Sequence, residues 1–127
     1  MKLGELLVEA KLTEAHFQWA SPKLISRYRD LETVFDCSEL PIRNGKYGGY
    51  QLVRSTLAAY ALECSFCVLC DARRPDLIEV WYTILRAVRL IELRCRLKLL
   101  TWQELAMTLP PDLQDFLAMK YGIFGAV

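Results

Sequence analysis

Apolar residues recur at three- and four-residue spacing along most of the chain, and two short runs break that rhythm. Phe66-Cys67-Val68-Leu69-Cys70-Asp71 is a continuous apolar stretch closed by an acid, and Cys95-Arg96-Leu97-Lys98-Leu99-Leu100 alternates before it ends apolar. Between them Pro75 suits a first helical position, and Asp76 and Glu79 suit the exposed N–H groups of a first turn. Leu77, Ile78, Trp81, Ile84, Leu85, Val88 and Ile91 then form a broad apolar face. The pattern predicts parallel strands near 66–71 and 95–100, joined by a helix over 77–91 in a right-handed crossover.

The rest reads mostly as helix. Residues 3–10 (LGELLVEA) carry a helical pattern, and Thr13 is placed to cap a second segment that begins at Leu12. Pro22 opens another helix with Leu24, Ile25, Tyr28, Leu31 and Phe35 on its apolar side. Residues 36–49 are rich in turn formers, so they make either a long connection or a short edge strand with a tight turn. A helix runs from Tyr50 to about Glu63. Thr101-Trp102-Gln103-Glu104 is a capping-box sequence that opens a helix to about Leu109. Pro110-Pro111 ends it and starts the last helix, which stops at Gly122.

The expected fold is therefore α/β: one small, mostly helical domain over 1–127 with a β-α-β unit. Residues 1–49 form its helical and turn-rich part. Two strands leave bare edges and broad apolar faces. Either residues 33–42 supply a third strand or a second chain completes the layer. Trp81, Ile84, Leu85 and Val88 are the expected interface, and a homo-oligomer or a protein partner the expected assembly.

The 127-residue length and 54% hydrophobic content suit a single globular core. A net charge of +1 gives no global warrant for nucleic-acid binding. Locally, seven basic residues against three acids lie between Arg73 and Lys98, which keeps a phosphate-facing surface open beside a simple solvated face. No apolar run is long enough for a membrane helix, and Glu5 and Glu9 interrupt any secretory signal at the start. An odd number of cysteines, five in all, suits a reducing, cytoplasmic setting.

Candidate chemistry is sparse. Cys64, Cys67 and Cys70 have a metal-like spacing, but alternation along a strand points Cys67 and Cys70 to opposite faces. His16 is the only histidine, and no nucleophile–base set surrounds it. Asp36, Glu39 and Lys46 are the one grouping that imitates a magnesium-dependent nuclease site. Carboxylates there would hold the metal and lysine would position the attacking water. Such a site wants its acid and lysine two residues apart on one strand, and Pro41 occupies the lysine's place after Glu39.

Tyr50-Gln51-Leu52-Val53-Arg54, together with 66–71, the crossover helix and residues 97–105, resembles the carboxyl-terminal half of PD-(D/E)XK restriction-endonuclease-like proteins. The resemblance covers about residues 50–105. It implies that Gln51 sits beside an active site and that Arg54 approaches phosphate; the local basic excess, not the resemblance, adds Arg96 and Lys98 as candidate nucleic-acid contacts. The family's catalytic aspartate and Glu-x-Lys strand find no match with strand context in residues 1–49. The expectation is thus an interaction or structural module without catalysis or cofactor, magnesium entering only if nuclease activity survives. A nucleic-acid-binding module is the alternative, and an active nuclease the weakest reading.

Overall fold

The computed structural model describes residues 1–125. Its centre is a four-stranded mixed sheet in the order β1 (Lys2–Leu3), β2 (Leu6–Ala10), β5 (Ser65–Cys70), β6 (Leu97–Thr101). A separate hairpin, β3 (Ile42–Arg43) and β4 (Lys46–Tyr47), lies between β2 and β5 in sequence. The helices are α1 (Pro22–Ile25), α2 (Leu31–Val34), α3 (Tyr50–Leu62), α4 (Pro75–Ala87), α5 (Ile91–Arg94), α6 (Trp102–Ala106) and α7 (Pro111–Tyr121). The architecture is α/β, as the sequence pattern predicts.

The β-α-β unit forms where expected. Strands β5 and β6 are parallel, with Phe66 opposite Leu97 and Cys70 opposite Thr101. Thr101 and Glu104 complete a reciprocal capping box at α6. Pro111 starts α7, and Gly122, in the left-handed region, ends it. The crossover helix is shorter than its apolar pattern: it stops at Ala87, because Val88 leaves the helix to pair with Phe35 in an antiparallel bridge.

The opening of the chain is not helical. Gly4 turns at φ 59°, β1 and β2 form an antiparallel hairpin, and β2 lies parallel to β5 with Leu6 opposite Ser65 and Ala10 opposite Leu69. Pairing along the whole of β2 outweighs a weak helical periodicity. These strands, rather than residues 33–42, extend the layer beside β5. Residues 33–42 instead hold the end of α2, the Phe35 bridge and a single 3-10 turn over Cys37–Glu39. Thr13 caps no helix, since the Glu14 carboxylate folds back to accept from the N–H groups of Leu12 and Thr13. The helix expected from Pro22 breaks after Ile25. Tyr28, in the gap between α1 and α2, turns to share a 2.8 Å hydrogen bond with the hydroxyl of Tyr50.

Alternation and register put Leu7, Phe66, Val68, Cys70, Leu97 and Leu99 on one sheet face. Helices α3 and α4 cover it, with Val53, Leu57, Trp81 and Ile84 buried there. Trp81 meets Phe66 edge to face at 6.1 Å. Trp81, Ile84 and Val88 are thus core residues, and Leu85 packs against the same core half-buried. The apolar face of α4 is packed within the chain itself.

Gly49 caps α3 at φ 66°, and a Cβ there would lie 3.1 Å from methyls of Val80 and Ile84. Gly49→Ala is expected to cost about 1–2 kcal/mol for the left-handed backbone alone, read as a lowered urea midpoint with an unchanged slope.

Candidate functional site

Helix α3 joins β5 through Glu63 and Cys64 alone and packs back over β2 and β5, so its first turn lies at the carboxyl ends of the parallel strands. In open α/β sheets ligands favour that end. The chain collects polar groups there. Glu9 and Lys11 stand two residues apart at the end of β2, on the face that α3 covers, and pair at 3.5 Å. Lys11 is almost wholly buried, with its ammonium 5.6 Å from the centre of the Phe17 ring. The N–H of Gln51 donates to the carbonyl of Phe17, which ties α3 to this loop. The buried Oε1 of Gln51 meets no donor among the described residues.

Glu9-Ala10-Lys11 is therefore an acid-x-lysine pair on a strand, the very feature that the opening residues were expected to lack. Its spacing is plain in the sequence. The helical reading of 3–10 concealed it, because acid and lysine two apart on a helix point in different directions, whereas on a strand they share a face.

Asp71, one residue beyond β5, is the one buried carboxylate of this end among the described residues, Glu9 being only partly buried. Arg73 donates to it from Nε, from Nη2 at 2.6 Å and from its backbone N–H, and Gln103 donates from Nε2 at 2.7 Å. These donors, Arg73 foremost, hold its pKa down at about 2 against desolvation. Arg73 also reaches the carbonyls of Tyr121 and Gly122, fastening the end of α7 to β5. Asp71 is a structural anchor whose lone pairs are already committed.

The other candidates are dispersed. Asp36 caps the 3-10 turn, accepting from the N–H and hydroxyl of Ser38, which lowers its pKa. Glu39 is exposed in the same turn, while Lys46 sits on the separate β3–β4 hairpin. Arg54 is exposed, with its guanidinium 5.6 Å from the Tyr50 ring centre. Arg96 precedes β6 at the opposite end of the sheet from Gln51, with its Nε buried and unpartnered among the described residues. Lys98, the second residue of β6, is exposed and points away from α3. Burial raises the thiol pKa of Cys67, and that of Cys70 to about 11, so both stay protonated at neutral pH.

A magnesium ion needs several oxygen ligands in near-octahedral array. Among the described residues no three Asp, Glu, His or Cys side chains gather to hold a metal. Glu9 is engaged by Lys11 and Asp71 by Arg73, so the residues present do not fit the ion.

These features define a small α/β protein with a closed polar cluster at the carboxyl ends of its parallel strands. A family model described as Restriction Endonuclease associating with ARP matches residues 1–122, and the chain belongs to this restriction-endonuclease-related family. No curated protein and no solved structure matches it. No helix among the described residues is long and apolar enough to cross a membrane.

Proposed function

We propose that this chain is a non-cutting module of a restriction-endonuclease assembly and works bound to another protein. Its β2 strand keeps the acid-x-lysine pair of the PD-(D/E)XK superfamily in closed form. One observation carries this reading: the Lys11 ammonium is buried and paired with Glu9. A nuclease lysine must meet water and phosphate, and a phosphodiester reaction needs carboxylates gathered around metal with a water in line. Lys11 faces Phe17 instead. Two further facts support a partner-bound role. The family's description names an association, and Gln51, Arg54, Arg96 and Lys98 do not share one surface. A different polypeptide is the proposed partner, because the family's description names an association with ARP.

Incubation of the purified chain with supercoiled and single-stranded DNA and RNA in magnesium or manganese is expected to yield no cleavage above buffer. Variants Glu9→Gln and Asp36→Ala/Glu39→Ala should be indistinguishable from the parent. Cleavage by the parent that Glu9→Gln abolishes would make the β2 pair a working site and overturn the proposal. Loss only in the double variant would place catalysis at Asp36 and Glu39.

A further inference from the structure

The β3–β4 hairpin and the loop before α1 build a second polar feature, distinct from the closed Glu9–Lys11 cluster. Asn44 and Gly45, at φ 52° and 74°, make the tight two-residue turn that their dipeptide favours. That turn sets Arg43 directly opposite Lys46, so both cations leave one face of the hairpin. Ala20 joins β4 as a short third member, exchanging both backbone hydrogen bonds with Tyr47. Its neighbour Trp19 packs against Gly48, where a Cβ would stand 3.0 Å from the indole ring. Trp19 is nevertheless 42% exposed.

Two cavities adjoin at Trp19 and Arg43. One, of about 330 Å³, is lined by these two residues with Asn44 and Lys46. The other, of about 270 Å³, runs beneath them past Gln18 towards the start of α4. Among the described residues neither Arg43 nor Lys46 makes an ion pair or a side-chain hydrogen bond, whereas Arg73 and Arg74 are spent on Asp71 and Asp76. Asp76, the one carboxylate in the second cavity, is neutralised by both of its bonds to Arg74. The groove thus offers a rigid aromatic plane, uncommitted positive charge, and amide groups from Asn44 and Gln18.

We propose that this groove binds an unpaired nucleic-acid strand. A nucleobase stacks on the exposed face of Trp19, and the flanking phosphates meet Arg43 and Lys46. An aromatic platform beside uncommitted cations is the arrangement by which proteins hold single strands without reading their sequence. Duplex bases, already stacked on one another, have no face to give to the indole. This inference stands apart from the assembly role above, since neither Glu9 nor Lys11 takes part.

The test is titration of the whole chain with a short oligothymidylate at low salt, followed by tryptophan emission and by anisotropy of a labelled strand. Of the three tryptophans Trp81 is core and Trp102 half-buried, so quenching should come chiefly from Trp19. Trp19→Ala should weaken binding about 5- to 150-fold, the range that loss of one base–aromatic stack produces. Trp19→Phe keeps a ring and should keep most of the affinity. Arg43→Ala/Lys46→Ala, on an exposed hairpin that cannot unfold the core, should flatten the log–log salt dependence by about 1.4. Lys23→Ala/Arg27→Ala, also exposed, should change neither quantity. Absence of binding at low salt, equal affinity in Trp19→Ala with a native spectrum, an unchanged salt slope in Arg43→Ala/Lys46→Ala, or tighter binding of a duplex of the same length would each overturn the proposal.

Discussion

Trp81→Asp is expected to abolish the folded state rather than to separate two subunits. Trp81 is 2% exposed and lies edge to face on Phe66 between α4 and the sheet. Removing a buried tryptophan side chain costs about 3–5 kcal/mol. A carboxylate left in that space without a partner adds several kcal/mol more. The sum reaches the whole stability of a typical domain, about 5–15 kcal/mol. Near-ultraviolet circular dichroism should lose its native signal, and urea should give no cooperative transition. Trp81→Phe retains an aromatic ring and should stay folded with a lowered midpoint. A well-folded Trp81→Asp protein whose only change is a smaller mass in light scattering would show that this side chain lies in an interface after all.

Asp71→Asn should give the second-largest loss and a changed response to acid. The carboxylate receives Arg73 and Gln103 while nearly buried, and Arg73 in turn holds the carbonyls at the end of α7. Breaking a fully buried pair costs about 3–5 kcal/mol; Arg73 is 55% exposed, so solvent screening brings the expected loss below that range, to about 2 kcal/mol. The sign of the pH effect follows from the depressed folded-state pKa of about 2. The stabilisation is complete above the unfolded value of about 4 and disappears as pH falls from 4 towards 2. It amounts to on the order of 2 kcal/mol at neutral pH. The parent should therefore lose stability through that interval more steeply than the variant. Parallel acid curves for the two proteins would show that Asp71 carries no such linkage.

What could be read from the residues alone follows how locally each element is determined. The capping box at Thr101 and Glu104, the Pro111 start and the Gly122 stop are fixed by near neighbours, and they form as their residues dictate. The β5–α4–β6 unit was legible because a long amphipathic helix between two apolar runs has few other solutions. The first ten residues were opaque for the opposite reason. Leu6 and Leu7 and the preceding Leu3 fit a helical face as well as a strand, and only β5, far along the sequence, selects the strand. The same ambiguity hid Glu9 and Lys11, whose kinship depends on β2 existing. Trp19 was not singled out because its meaning comes from Gly48 and the β3–β4 hairpin, which no local pattern joins to it. Tyr28 was counted with a helical face although its hydroxyl goes to Tyr50, so the segment from Pro22 breaks where one continuous helix was expected.

The pairing of β2 with β5 also sets an order of events during synthesis. Leu6 leaves the ribosome long before Ser65, its partner, has been polymerised. At about 5–20 residues per second, the segment that becomes β1 and β2 waits roughly 3–12 s for its partner. An isolated two-stranded hairpin is barely stable in water. The nascent segment therefore stays open until β5 arrives. During this interval the acid-x-lysine strand is loose chain, and only the finished sheet shuts it away.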